Sequence, residues 1–251
     1  MGEGTAGRLV ILSGPSCAGK SPLEKALGRF YPELRDRLEM LVLYNSRDPR
    51  PGEMDGVDYH FRTRDQVEAL GADERYVVMD VRGDMQALDV EGLTDALKTS
   101  DIFFEGNPFV GKTQLTHPRL ADVNRVSAFM SPISREEILY LKASEQNASL
   151  PDLVTDVMRR KLLRRTRKQK GELSAKDLEN IETRAGSAYR ELTDAWYFGC
   201  VIPNHDGEDS ENWDAFYFPL GDTRKALLAF AALLQGEEPE GVENWEEGLL
   251  P

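Results

Sequence analysis

Short apolar runs rich in β-branched residues alternate along this chain with stretches whose apolar positions recur at helical spacing. Runs at 9–13, 40–44, 76–81, 101–105, 125–130 and 198–203 have the length and composition of buried strands. Between and after them, patterns over 22–30, 64–71, 89–99, 135–147, 151–168, 175–195 and 222–235 predict helices. In the first helix Leu23, Ala26, Leu27 and Phe30 stand at i, i+3, i+4 and i+7, which gives it one buried face. Ser134 with Glu137 predicts a capping box, and Asp222 and Gly236 predict the two caps of the last helix. Strands separated by helices imply an α/β fold of one domain, with a mostly parallel sheet covered by helices on both faces.

Composition narrows this picture. A chain of 251 residues with 40% hydrophobic content can bury one good core. A net charge of −13 argues against a general nucleic-acid binder. No apolar run approaches a membrane span, and the opening residues fit neither a signal peptide nor a myristoylation site. Cys17 and Cys200 make no disulfide framework or zinc spacing, and His60, His117 and His205 are too scattered for a metal site. The expectation is a reduced, cytoplasmic protein. Residues 236–251 are acidic and poor in apolar side chains, and they read as a flexible tail after a domain over 8–235. Trp245, Leu249 and Leu250 leave a docking role for that tail open.

One segment carries explicit chemistry. Gly14, Pro15, Ser16, Cys17, Ala18, Gly19, Lys20 and Ser21 fit G-x-x-x-x-G-K-[ST] between a strand and a helix. Phosphate needs such a loop, because backbone N–H groups must converge on it, a lysine must reach its outer oxygens and a hydroxyl must hold Mg²⁺. The positive end of the following helix points at the same place. Gly106 to Thr113 also fits the pattern, but Pro108 and Phe109 would crowd the loop, so Lys112 reads as coincidental. Arg47 and Arg50 flank a proline, Glu53 follows, and Tyr59 comes six residues later. Beside a phosphate loop, this pattern suggests a second anion clamp, since guanidinium forks pair bidentately with phosphate oxygens.

The stretch from Asn45 to Phe61 resembles the guanylate kinase signature, and the phosphate loop matches that family's form in the same order. Val201 to Asp206 is similar to the family's late valine-isoleucine-valine-asparagine-aspartate segment, and Ile181 to Leu192 resembles its lid helix. The resemblance spans roughly 8–235. It implies a P-loop NTPase of three α/β/α layers, with a small acceptor-binding part over about 43–100 and a helical lid over about 141–190. It also implies phosphoryl transfer from ATP, with Mg²⁺, to a nucleoside monophosphate, GMP or dGMP by default. Lys20 would bridge the β- and γ-phosphates, Ser21 would ligate Mg²⁺, and Asn204 would contact the ATP base or ribose. Arg47, Arg50 and Tyr59 would hold the acceptor phosphate, with Glu53 orienting the arginines and Glu105 and Asn107 lining the pocket. Arg184, with Arg164, Arg165 or Arg167, would close over the transferring group; Arg164 and Arg167 are carried as catalytic. ATP and the monophosphate are the expected partners, and a homodimer is an open expectation.

The base end of the acceptor pocket departs from the family's pattern. Leu43 holds the place of a base-reading serine, Met79 that of a glutamate, and Asp84 to Asp89 that of a glycine- and tyrosine-rich run. Glu105-Gly106-Asn107 replaces a pair of aspartates, and about 141–160 is an addition ahead of the lid. Two alternatives therefore stay open. One is a kinase for another phosphorylated acceptor, such as another monophosphate or a ribose bisphosphate. The other is a non-catalytic protein-binding module, against which Lys20 and Ser21 speak. The basic run Arg159 to Lys170 reads chiefly as a solvated helix face.

Overall fold

The computed structural model describes residues 7–50, 52–143 and 149–250. The opening residues, on which the leader and lipidation readings rest, and the end of the helix expected over 135–147 lie outside them. In chain order the elements begin with β1 (Leu9–Ser13), α1 (Lys20–Phe30), α2 (Pro32–Arg35), β2 (Leu38–Met40), β3 (Leu43–Asn45) and β4 (Tyr59–Phe61). Then come α3 (Arg64–Leu70), β5 (Tyr76–Val81), β6 (Asp84–Asp89), α4 (Val90–Ala96), β7 (Asp101–Gly106), α5 (Pro108–Thr116) and β8 (Arg125–Ser131). The chain closes with α6 (Arg135–Ala143), α7 (Leu150–Lys170), α8 (Ala175–Leu192), β9 (Cys200–Pro203) and α9 (Gly221–Gln235).

The main sheet has the order β2-β7-β1-β8-β9 with every pairing parallel. All five residues of β1 are fully buried, as its unbroken apolar run requires. Side chains alternate across a strand, so Val10 and Leu12 enter a core shared with Leu27 of α1 and Phe230 of α9. Leu9 and Ile11 enter the opposite core, with Val110 of α5, Leu162 of α7 and Ala188 of α8. Each such fully buried side chain contributes about 1.5–3 kcal/mol. β1 is flanked by β7 and β8, so its carboxyl end opens at the crevice where the strand order reverses.

A smaller sheet of order β4-β3-β6-β5 lies beside the first. The strand expected over 40–44 belongs to both sheets, since β2 ends at Met40 against β7 while β3 starts at Leu43 against β4 and β6. A run read only for its apolar content cannot reveal such an exchange. β6 escaped notice because Asp84, Gln86 and Asp89 dilute its apolar pattern, and α5 because Gly111, Lys112 and Thr113 do the same. Gly111 is required by packing: a Cβ there would fall 2.4 Å from Ser13 Oγ of β1.

The capping box at α6 forms, with Ser134 N donating to Glu137 and Glu137 N donating to Ser134 Oγ. Gly236 caps α9 in the left-handed region at φ 76. Asp222 does not cap that helix. Asp206 does so from a distance, its Oδ2 accepting from the backbone N–H of Asp222 and Thr223. The acidic tail is likewise not a free end. Val201 and Glu243 exchange backbone hydrogen bonds of 2.7 and 2.8 Å, which covers the outer edge of β9. Trp245, Leu249 and Leu250 join the core, and Glu246 pairs with Arg135 at 2.7 Å. Two of the charges that suggested solvation, Glu243 and Glu246, are partnered, and the few apolar side chains anchor the segment.

Candidate active site

The loop from Gly14 to Lys20 has the backbone shape of an anion cradle. Gly14 (φ 148), Cys17 (φ 69) and Gly19 (φ 106) hold positive φ, which turns successive N–H groups into one concavity. Both glycines are also sterically required: a Cβ on Gly14 would lie 2.4 Å from Met130 O, and one on Gly19 2.5 Å from Asn204 Nδ2. Lys20 is almost fully buried, and its Nζ donates to Gly14 O and Pro15 O at 2.9 Å each. Asn204 is fully buried and donates Nδ2 to Ala18 O at 2.8 Å. This bond braces the loop from behind, while Asn204 Oδ1 has no hydrogen-bond partner. Burial, with Glu208 beside it, pushes the Cys17 thiol up to about 12, so it stays protonated and is no nucleophile near neutrality.

At the start of α1, Ser21 Oγ stands 3.2 and 3.3 Å from the two carboxylate oxygens of Glu105, at the end of β7. Burial holds Glu105 above the usual carboxylate range, while Lys20 pulls it the other way. A hydroxyl and a carboxylate side by side suit Mg²⁺, which takes few protein oxygens and keeps waters and phosphates for the rest. No cluster of three or more His, Cys, Asp or Glu occurs among the described residues, and such a site needs none. The second Gly-x₄-Gly-Lys-Thr match makes no loop, because Asn107 caps α5 through Phe109 N and Pro108 already lies in the helix. Lys112 is spent on Asp194 at 2.8 Å.

The second cradle is built on β3 and β4. Arg47 forks onto Glu53 through two hydrogen bonds of 2.6 and 2.7 Å, and Glu53 also accepts from Arg50 N at 2.7 Å. Burial pushes Glu53 up, but Arg47 and the Arg50 backbone outweigh it and leave Glu53 below the usual carboxylate range. The Arg47 guanidinium lies over the Tyr59 ring at 5.1 Å. Burial holds Tyr59 above its ordinary value, and Glu105 acts on it in the same direction. Leu43 is buried in the core and Met79 packs against it, so neither offers a hydrogen-bonding group to a ligand edge.

The lid arginines sort by helix face. Arg164 and Arg167 point outward, and Arg164 pairs with Asp209 at 2.7 Å. Arg165 points inward, where it pairs with Glu208 at 2.8 Å. Of the three arginines expected at the lid, Arg165 thus faces inward while Arg164 and Arg167 face solvent, one residue being enough to change the face. Burial and the neighbouring guanidiniums of Arg50, Arg165 and Arg82 push Arg184 down to about 10. Arg82, in the turn between β5 and β6, is a member of the cluster that sequence reasoning missed. Its one signal is an arginine-glycine pair in a two-residue hairpin, where asparagine-glycine is the usual choice. Of the basic run, Arg159, Arg160 and Lys170 pair on the surface with Glu182, Asp156 and Asp177.

The chain is similar in sequence to known guanylate kinases. The family model described as guanylate kinase matches residues 6–84. Guanylate kinase of Cereibacter sphaeroides is 37% identical over 138 residues, covering 53% of this chain and 61% of that protein. The enzyme of Synechococcus sp. is 34% identical over 135 residues, covering 53% and 59%. The matches thus span about three fifths of these relatives' lengths. A crystal structure of guanylate kinase from Anaplasma phagocytophilum aligns over 80% of this chain and 79% of that one, at 20% identity and a TM-score of 0.49. By sequence, the chain is similar to guanylate kinases over these residues.

Proposed function

We propose that this protein transfers the γ-phosphoryl group of ATP to the phosphate of GMP. The reading is supported by the phosphate loop with Lys20 buried against it, and by Arg82 reaching Ser16 of that loop at 3.0 Å. It is supported too by Arg50, Arg165 and Arg82, since burial together with their charges pushes Arg184 down to about 10. Such crowding of cations is costly until an anion enters, and two phosphate chains facing each other would relieve it.

The loop N–H groups and Lys20 grip the donor's β- and γ-phosphates, while Arg47, Arg50 and Tyr59 hold the acceptor phosphate in line with them. An oxygen of the acceptor phosphate attacks the γ-phosphorus as the bond to the β–γ bridging oxygen breaks, and ADP leaves. A phosphate monoester is largely dianionic at neutral pH, its second pKa being about 6, so no general base has to remove a proton. Arg165 and Arg184 stabilise charge as it shifts toward the leaving oxygen. Ser21 and Glu105 would hold Mg²⁺, which when bound neutralises donor oxygens and fixes their orientation. Leu43 and Met79 give the acceptor's base no polar partner, so the acceptor is gripped chiefly by its phosphate.

Coupled ADP release with GMP, dGMP, AMP, CMP and UMP as acceptors tests the proposal. GMP-dependent turnover is expected, with weak discrimination against the other bases. No turnover with any acceptor overturns it.

A further inference from the structure

Arg82 is one of two non-glycine residues, among those described, that hold positive φ; the other is Cys17 of the phosphate loop. Val81 pairs with Asp84, so Arg82 (φ 59) and Gly83 (φ 88) form a two-residue hairpin turn. That turn geometry favours asparagine at its first position, and an arginine there carries left-handed strain that the turn itself does not reward. The return is reach. Arg82 Nε donates to Ser187 Oγ at 2.9 Å and to Glu191 Oε1 at 2.7 Å, both on α8. Its Nη1 donates to Ser16 Oγ of the phosphate loop at 3.0 Å.

The partner on α8 depends on this contact. The Glu191 carboxylate is fully buried, and Oε2 has no hydrogen-bond partner. Oε1 accepts from Arg82, from Ser187 Oγ at 2.8 Å and from Asn107 Nδ2 at 3.2 Å. Among the described residues Arg82 is its one cationic partner, and a buried carboxylate stripped of its cation is strongly disfavoured. A single side chain therefore joins three parts: the small sheet that presents the second cradle, the helix that carries Arg184, and the phosphate loop.

We infer that Arg82 is a positioning residue that latches the β5–β6 hairpin to α8 and to the phosphate loop, and so sets the spacing between the two anion cradles. The catalytic side of this inference rests on the proposed kinase reading; the latch itself does not. Arg82→Asn suits the turn and deletes the latch, and Arg82→Lys keeps the charge without the planar fork.

Amide hydrogen exchange on the full, ligand-free chain reads the latch directly. In Arg82→Asn, amides of β5, β6 and the 187–191 part of α8 should exchange at least about tenfold faster, as expected for losing charge-assisted hydrogen bonds, with α9 unchanged. Arg82→Lys should fall between, and Glu191→Gln should reproduce the Asn pattern. Wild-type exchange in Arg82→Asn overturns the latch whatever the activity. If Arg82→Asn does not fold, Arg82→Lys and Glu191→Gln carry the same comparison, and wild-type exchange in both overturns it. In the ATP and GMP assay, kcat should fall about 10–100-fold while the KM for ATP moves less than about threefold, the loop and Lys20 being intact. An unchanged kcat, with exchange altered, overturns the positioning role. No turnover by the wild type would sink the kinase reading and leave the exchange result to decide the latch.

Discussion

Ser21 and Glu105 meet across the crevice between α1 and β7, hydroxyl to carboxylate at 3.2 and 3.3 Å. The sheet order makes this meeting, since β7 is the parallel neighbour of β1 and both strands end at the same edge. Glu105 is costly there: burial raises its pKa, so its ionised form is less favourable in the folded state than in water. A carboxyl raised in this way supports the fold fully below the ordinary glutamate range and loses that support as pH rises through its folded value. Glu105→Gln should therefore raise Tm at pH 7 while lowering kcat and weakening the dependence on Mg²⁺. Thermal unfolding and a Mg²⁺ titration of turnover check the two halves. An unaltered Mg²⁺ dependence would remove Glu105 from the metal's holding group.

Arg165 and Arg164 are adjacent in sequence and opposite in effect. Arg165→Ala removes a guanidinium from the cluster that depresses Arg184 and should lower kcat about 10²–10³-fold, short of the full effect of an arginine finger. Arg164→Ala removes the guanidinium paired with the buried Asp209 carboxylate, so it should lower Tm while leaving kcat within about twofold. Steady-state kinetics of the two variants in parallel decides the assignment. Equal losses would contradict it.

Glu53 holds Arg47 in its fork and Arg50 by the backbone. Glu53→Gln keeps the shape and removes the charge. The KM for GMP should rise about 10–100-fold, the scale of one or two charge-assisted hydrogen bonds, with the KM for ATP nearly unchanged. Its lowered pKa adds a stability effect on the acid side. The support is present above the ordinary glutamate pKa and is lost as pH falls through the lower folded value. Glu53→Gln should thus flatten the acid limb of the Tm profile, which thermal scans between about pH 5 and pH 3 would show.

Trp245 is buried against the main core although it lies in the acidic terminal segment. Trp245→Ala should cost about 3–5 kcal/mol by the cavity it leaves. Denaturant unfolding measures the loss, and a stability equal to wild type would mean that the segment does not hold the fold.

The phosphate loop and the Arg47–Tyr59 clamp were legible because each is contiguous, and backbone shape or a short spacing suffices to specify it. Arg82 was not, and Arg165 was legible only as one of three candidates. The first acts across a hairpin turn on residues more than a hundred positions away, at Ser187 and Glu191. The second differs from its neighbours only in helix face, and a dense basic run blurs that periodicity. Asn204 was readable as a site residue but not as a buried brace, since its partner Ala18 O lies 186 positions back. The terminal segment misled through composition: Glu243 and Glu246 look solvated until Val201 and Arg135 are brought to them by β9 and α6.

The central claim is that the two anion cradles work on one reaction. ADP release with ATP, Mg²⁺ and GMP, measured for wild type, Lys20→Ala and Arg50→Ala, tests it most directly. The account predicts acceptor-dependent turnover in the wild type, loss of at least about 10³-fold in Lys20→Ala, and an Arg50→Ala enzyme whose GMP KM rises about 10–100-fold at a nearly constant ATP KM. Turnover that survives in Lys20→Ala, or that ignores both GMP and Arg50, would contradict it.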